Sequence, residues 1–584
     1  MSRRRLQIEG HEPGCPAVGS LAGQLGLAEP DRRAVLRGAL LGAGVLAIPG
    51  LAACSSSGGG AAAPGPSAAA SFGGKHTSTK DTLTIAASET PASIDWDLYL
   101  DPVSFQSYNN VYNTPLSWQK VPVTGTPNMV TSDFRNLVGR FAQDWEFSKD
   151  GTTLTLRFKK GVMSHAGNEL GAKDFYYTRA RSLGIGQVGT FLLHTAGILA
   201  LKDMKIMDKY TIRWTSATGP NPLMAAANTN VFFNLFDGTE MKKHATGGDP
   251  WSENWVKTHS AGFGPYKLVS IASGTGMTLT RHDEYFGGPA PITTIIYKEV
   301  PEASNRLALV STGAVDLAQD LSPRQLNSLN GNSAVTVYNS PDTTFNFISI
   351  NEAHSPLDNV KVRQALSYAY PYDKVVRDVY FGLQSRCTAP VPSLVPGYGN
   401  VTPYQTDLNK AKSLLQAAGQ GSGLTLSLLY DLADADVEQS AILYQQNLKQ
   451  AGVTLTFDRQ PTAVVAERYT KKQFQLVQRA DGPIQPDLNY GLGLFYLSAN
   501  EQRQCCNYVG FASAHIDQLI TKGAQIFNPA QRLTANKAIM PLIMDQAPYI
   551  WITNVGFHVA AAANLRGMNY ESPDSVLFQN LYFT

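Results

Sequence analysis

From Asp81 onward the chain alternates short apolar runs with stretches of helical periodicity. The clearest run of the first kind follows Lys149-Asp150-Gly151, where Leu154, Leu156 and Phe158 alternate with Thr153, Thr155 and Arg157. A period of two puts one apolar and one polar face on a strand. The preceding Asp-Gly supplies the positive φ that a tight hairpin turn needs, so a half-buried hairpin is predicted. Asp358 or Asn359 can cap a helix that turns Val362, Ala365, Leu366 and Ala369 to one side, and Asp407 can cap another carrying Leu408, Ala411, Leu415 and Ala418, with Gly419 as its stop. Leu424 to Tyr430 reads as a strand, Val437 to Ala451 as a helix and Val453 to Phe457 as a second strand. That βαβ unit implies a parallel pair, and parallel sheets bind ligands beyond the carboxyl ends of their strands. No fixed-period repeat is present.

At 584 residues and 43% hydrophobic content, the chain is expected to be globular and to exceed a single core. The formal charge is +2. Arg3, Arg4, Arg5, Arg32, Arg33 and Arg37 all precede Cys54, so the remainder is close to neutral. A near-neutral body has no basic stripe for nucleic acid, and none is expected as a partner.

The N-terminal segment has its own logic. Asp31-Arg32-Arg33-Ala34-Val35-Leu36-Arg37 resembles a twin-arginine export signal, followed by an apolar, Gly-rich stretch from Gly38 to Ala53 that is short for a membrane span. Leu51-Ala52-Ala53-Cys54 looks like a bacterial lipobox, whose cysteine thiol receives the lipid; the alternative is a signal anchor with an incidental cysteine. Ser55 to Lys80 is rich in Ser, Gly, Ala and Pro and reads as a flexible tether. Residues 1–53 are therefore expected to be an export leader and 54–80 a tether, with lipid on Cys54 holding an exported protein at the outer face of the cytoplasmic membrane. Of five cysteines, Cys387, Cys505 and Cys506 remain after the leader and Cys54. A bridge from Cys387 to one of the adjacent pair and buried free thiols are both open. No zinc spacing occurs, and no metal or cofactor is expected.

Family features appear from Gly139 to Phe175. Trp145, Asp150-Gly151, Lys160-Gly161-Val162 and Lys173-Asp174-Phe175 follow the order of the extracellular solute-binding proteins of family 5, the peptide-binding branch of ABC importer receptors. Ala166-Gly167-Asn168 departs from that family's Asp-Gly-Thr turn. Gly262 to Leu268, Arg281 to Phe286, Ala308 through Leu317, Ile350-Asn351 with Pro356 to Ala365, and Asn409-Lys410-Ala411 through Ala418-Gly419 continue the resemblance, which runs from Leu83 to the end. It implies an α/β, two-lobed fold of the type II periplasmic-binding kind, with lobe I at 81–341, lobe II at 342–547 and a return to lobe I at 548–584. Hinge crossings are expected at Asp342 to Ser349 and Pro548 to Thr553.

The resemblance also implies a site. In peptide receptors of this family an aspartate on a lobe II loop pairs with the ligand's ammonium, and by position Asp481 takes that role in Arg479-Ala480-Asp481-Gly482-Pro483-Ile484-Gln485-Pro486-Asp487. An aspartate in a Gly/Pro loop can also serve a local turn. The loop is one residue longer than is common, and Gln478 stands where many relatives carry tryptophan. Arg479 can pair with a ligand carboxylate or with Asp481. Glu89 and Thr90, after the first strand, are implied cleft residues. Tyr108, Tyr112, Phe345 and Tyr490 are candidate aromatic walls, against the alternative that they are core.

The expected function is capture of di- or oligopeptides by a monomer that hands them to ABC permease subunits. The same receptor fold for a nickel chelate, an oligosaccharide or another small solute is one alternative, and a secreted hydrolase a second. Two enzyme-like strings lack the context their chemistry needs. Gly184-Ile185-Gly186-Gln187-Val188-Gly189 matches the dinucleotide fingerprint as a string but follows a predicted helix, where the fingerprint follows a strand. Ser117-Trp118-Gln119-Lys120 lacks the partner motifs of penicillin-recognising enzymes.

Overall fold

The computed structural model describes residues 76–98, 102–399, 401–421, 423–500, 506–571, 573 and 575–584. The segment expected to be an export leader, the candidate lipidation cysteine Cys54, nearly all of the expected tether, and Cys505 lie outside these residues.

One mixed sheet runs through the molecule. Its strands are β1 (Thr82–Ala87), β2 (Tyr266–Ala272), β3 (Gly276–Arg281), β4 (Thr294–Glu299), β5 (Leu317–Ala318), β6 (Val335–Ile350), β7 (Ser385–Arg386), β8 (Leu424–Asp431), β9 (Val453–Gln460), β10 (Leu476–Asp481) and β11 (Tyr549–Ala562). They lie side by side in the order β9-β8-β10-β6-β11-β5-β1-β4-β3-β2, with β7 also on β11. Two lobes are threaded on this sheet, and β6 and β11 belong to both. These long strands pair antiparallel from Val335↔Ala562 to Ser349↔Tyr549, with register shifts between Pro341 and Phe345 and between Asn346 and Phe347.

The βαβ unit forms as expected. Helix α5 (Ala435–Gln450) connects β8 to β9, which pair in parallel, and Asp434 caps it by accepting from the Val437 N–H. Helix α3 (Val360–Ala369) is capped by Asn359, and Val362, Ala365, Leu366 and Ala369 are all buried. Helix α4 (Leu408–Ala417) is capped by Asp407; Ala411 and Leu415 are buried, whereas Leu408 and Ala418 are only half-buried. Alternation along β6 places helices on both faces of the lobe II sheet. Ile348 and Ile350 pack with Val362, Leu366 and Tyr444, while Phe345 and Phe347 pack with Leu488, Leu492 and Phe495.

A smaller sheet in lobe I contains the predicted hairpin. Ala142–Phe147 pairs antiparallel with Thr153–Phe158, and Gly151 takes φ 69° in the turn. Packed beside it, α1 (Ala172–Ile185) and α2 (Val188–Thr195) account for the fingerprint-like glycines. Gly186 ends α1 at φ 72°, with its N–H bonded to the Ser182 carbonyl. A Cβ on Gly189 would lie 2.0 Å from Asp97 Oδ1. These glycines permit a helix stop and a close approach to a carboxylate, which disposes of the nucleotide reading.

That carboxylate belongs to a buried triad. Arg181 reaches Asp95 at 2.6 Å and Asp97 at 2.8 Å, and all three side chains are fully buried. Burial pushes the Asp97 carboxyl up to about 6 against the pull of Arg181. Replacing Arg181 by Met should therefore lower stability by about 3–5 kcal/mol, because it leaves two carboxylates buried without their cation. Arg157→Met, which breaks the half-exposed pairs to Asp144 and Glu146, should cost no more than about 1 kcal/mol. Urea denaturation of both variants checks the contrast.

Candidate functional site

The lobes meet along a seam below the shared strands. At its centre is the loop that leaves β10 at Asp481 and enters α6 (Leu488–Tyr496), where Asp487 caps the helix by accepting from the Tyr490 N–H. β10 is itself bonded to β6, with Phe345 opposite Asp481. Gly482 lies so close to β6 that a Cβ there would sit 2.1 Å from the Thr343 carbonyl oxygen. Further along, Ile484 crosses to the lobe I core, and its carbonyl accepts from Asn230 Nδ2 at 2.7 Å. A second bridge is the edge-on contact of Phe147 with Phe527, ring centres 5.1 Å apart. Among Asn109, Trp118, Phe134, Thr343, Ile484 and Glu571 the seam leaves a gap of about 20 Å³, roughly one water. The lobes are thus apposed at this point.

Asp481 is half-buried at the end of β10 and accepts from the Gly482 N–H at 2.7 Å. Burial raises its pKa above the ordinary carboxylate range, against the opposing field of Arg479. Arg479 stands two residues earlier on the same face of the strand. Its guanidinium lies 4.5 Å over the Tyr469 ring, its Nε has no hydrogen-bond partner, and no ion pair joins it to Asp481 among the described residues. The two opposite charges are neighbours without being spent on each other.

The remaining sequence-predicted residues separate. Glu89 is exposed after β1, and Thr90 is buried with its N–H bonded to Glu299 Oε2. Neither lines the seam gap. Phe345 is 1% exposed, ringed by Phe347 and Phe495, and belongs to the core; Tyr108 and Tyr112 are also fully buried. Tyr490 faces a second, larger inter-lobe cavity of about 240 Å³. Cys387 is a free buried thiol pushed up to about 12 by burial, whereas Cys506 is disulfide-bonded, so no bridge joins those two.

Sequence reasoning did not find Asn230, Trp118 or Glu571. Glu571 sits at the seam with Lys120 and Arg140 each 3.0 Å away. Burial pushes its carboxyl up, and the two cations outweigh this and hold it below its usual range. Nothing local marks such a residue, since its partners are more than 400 positions away. Ile484 did carry a signal, being an apolar side chain in a Gly/Pro loop. Among the described residues no group of three or more His, Cys, Asp or Glu side chains could hold a metal, and no helix is long and apolar enough to cross a membrane.

Comparison with known proteins bears on most of the chain. Residues 136–503 match the model of the bacterial extracellular solute-binding proteins, family 5 Middle. The probable D,D-dipeptide-binding periplasmic protein DdpA of Escherichia coli is 22% identical over 498 residues, covering 84% of this chain and 91% of that protein. Heme-binding protein A of Haemophilus influenzae is 23% identical over 504 residues, covering 82% and 88%. The structure of the ABC transporter-associated periplasmic binding protein DppA from Helicobacter pylori in complex with peptide STSA shares the fold, with a TM-score of 0.72 at 20% identity over 87% of this chain and 98% of that one.

The closeness of Gly482 to β6 gives a direct test of the site's frame. Gly482→Ala must push the loop off Thr343, and it should cost about 1–3 kcal/mol in urea denaturation. Gly161→Ala, at a positive-φ position with open space around it, provides a control for backbone strain alone.

Proposed function

Because the chain belongs to family 5 of the bacterial extracellular solute-binding proteins, the receptors of ABC importers, we propose that it captures di- or oligopeptides between its lobes and delivers them to a permease. It acts as a binding protein and not as an enzyme. The observation that supports peptides is the pair of adjacent, uncommitted charges on β10. Every peptide carries an ammonium at one end and a carboxylate at the other. Asp481 supplies an anion holding one backbone N–H, and Arg479 a half-buried cation with no ion pair among the described residues. A charge-assisted bond from the ligand ammonium to Asp481 contributes about 1.5–3 kcal/mol, and the peptide backbone can add further bonds without selecting side chains.

Closure follows from the same geometry. A ligand stabilises the closed form by contacting both lobes, and the Asp481 loop already reaches lobe I through Ile484. We place the hinge at Asp342 to Ser349 and Pro548 to Thr553, where β6 and β11 shift register. Cys54 anchors the exported protein by lipid, and the segment from Ser55 to Lys80 gives it slack. Tethering raises the effective concentration of receptor at its permease without any new contact.

Calorimetry with a defined dipeptide and tripeptide tests the ligand. Asp481→Ala should weaken binding by roughly 10- to 150-fold, the fold-change matching that bond energy. Unchanged affinity would refute the assignment, and wild-type protein that co-purifies with a porphyrin or a metal chelate and ignores peptides would replace it with a non-peptide solute. The pH dependence carries a definite sign. The ionised carboxylate binds the ammonium, and the Asp481 pKa is raised, so affinity is full above that pKa and falls as pH drops through it. The loss should begin at a higher pH than an exposed aspartate would give, and Asp481→Asn should abolish it.

Anchoring is tested separately. Cys54→Ser in the full-length protein, expressed in a lipoprotein-processing bacterium, should move it from the membrane to the soluble fraction. Persistence in washed membranes would favour the signal-anchor alternative.

A further inference from the structure

A short turn of lobe II crosses back onto the shared strands, away from the Asp481 loop. It follows the helix Tyr372–Asp378 and leads into β7. The Leu383 N–H donates to the Tyr380 carbonyl across a tight turn whose central residues, Phe381 and Gly382, take φ 52° and 76°. Positive φ at both positions is the I′ pattern, for which Asn-Gly is the ordinary choice. Phenylalanine there is strained, and a strained bulky residue persists only where its surroundings hold it.

Those surroundings belong to lobe I. The Arg324 guanidinium, on the helix Pro323–Ser328, lies 5.7 Å over the Phe381 ring. Leu383 packs against the lobe I cluster that contains Leu321, Leu326 and Ala560. An aromatic ring gives Arg324 a face to rest on, which asparagine at the same position would not.

The next links reach the crossing strands. The Leu383 carbonyl accepts from Asn339 Nδ2 at 3.2 Å and from His558 Nε2 at 3.2 Å. Asn339 and His558 stand opposite each other on β6 and β11. Gln384 Oε1 accepts from Asn346 Nδ2 at 2.9 Å and from Thr553 Oγ1 at 2.6 Å, and Asn346 and Thr553 are likewise opposite each other. Between these two cross-strand pairs lies the register shift from Pro341 to Phe345. One backbone carbonyl and the adjacent side chain thus grip both strands on both sides of their irregularity. Asn346, Gln384 and Thr553 are all buried, which strengthens their bonds.

We propose that Phe381 to Gln384 is a splint across the hinge, tying the two crossing strands together on either side of their irregularity and restricting the angle through which the lobes open. The inference rests on the hinge placement given above and is independent of the solute. Gln384 and Phe381 are positioning residues, acting through the strands and through Arg324. Opening at the irregularity must lengthen the bonds of Leu383 or Gln384, or lift Phe381 from Arg324. The ligand-free protein is therefore held near its closed geometry.

The test is the distance between lobes in the ligand-free full-length protein, read by double electron–electron resonance. Spin labels are carried on encoded azide-bearing residues at Lys202 of lobe I and Lys412 of lobe II, both exposed. Wild type should give one narrow distribution. Gln384→Leu, which keeps the bulk and removes the acceptor, should at least triple the share of long distances. Phe381→Asn should do the same although asparagine suits the turn, which separates a splint from local turn chemistry and keeps the test open if Gln384→Leu fails to fold. Thr344→Gly, inside the irregular stretch, loosens the hinge itself and should widen the distribution with the splint intact. Unchanged distributions in both splint variants, with native circular dichroism, would overturn the proposal. If Thr344→Gly is unchanged as well, the hinge placement falls with it; if Thr344→Gly alone widens the distribution, the splint falls and the hinge stands.

Discussion

The antiparallel pairing of β6 with β11 is the constraint on which the remainder of the molecule rests. These strands run through the middle of the principal sheet and contribute to both lobes, so the sheet of one lobe is continuous with that of the other. Everything at the seam is referred to them. β10 takes its register from β6, which places Asp481 opposite Phe345, and Gly482 abuts the Thr343 carbonyl at the point where the pairing with β11 is irregular. A displacement of the crossing strands therefore carries the Asp481 loop with it. On the proposed reading, hinge and binding loop are a single mechanical unit.

The buried charges divide into those that are spent and those that are not. Arg181 is consumed by Asp95 and Asp97, and Glu571 by Lys120 and Arg140, in surroundings where an unpaired ion would be very costly. Those groups are structural because their partners are close and supplied by the chain. Asp481 and Arg479 differ in kind. They stand on one strand, feel each other's field, and still form no ion pair with each other. A protein that leaves two opposite charges half-satisfied at a closing seam bears a desolvation cost that a zwitterionic ligand can offset.

Local signals made much of lobe II legible. Asn359, Asp407 and Asp434 cap helices through short-range hydrogen bonds, and the apolar spacing behind them is obeyed at Val362, Ala365, Leu366, Ala411 and Leu415. The hairpin at Asp150-Gly151 was readable for the same reason, since turn chemistry and alternation act within a few residues. The candidate site was legible only in part. Asp481 and Arg479 could be located by loop composition and family order, but whether they pair depends on Tyr469, which no spacing rule reveals. Phe345 shows the opposite failure: an aromatic near a crossing strand suggested a cleft wall, yet its alternation with Phe347 puts it beneath α6 in the core. Asn230 and Glu571 gave no signal, because their roles exist only once distant segments have met.

Two inter-lobe spaces with contrasting chemistry have a consequence for closure. The gap beside the Asp481 loop is water-sized and bounded by polar as well as aromatic groups, whereas the cavity between α2 and α6 is larger and mostly apolar. Closing the first brings Ile484 and Asn230 together by direct contact. The second, between α2 and α6, stays wide enough for water to wet its mostly apolar walls. The closed form is therefore self-complementary along one part of the seam and incomplete along the other. A ligand stabilises the closed form only to the extent that it contacts both lobes, so direct contacts such as that of Ile484 with Asn230 set how far the lobes favour closure before any solute arrives.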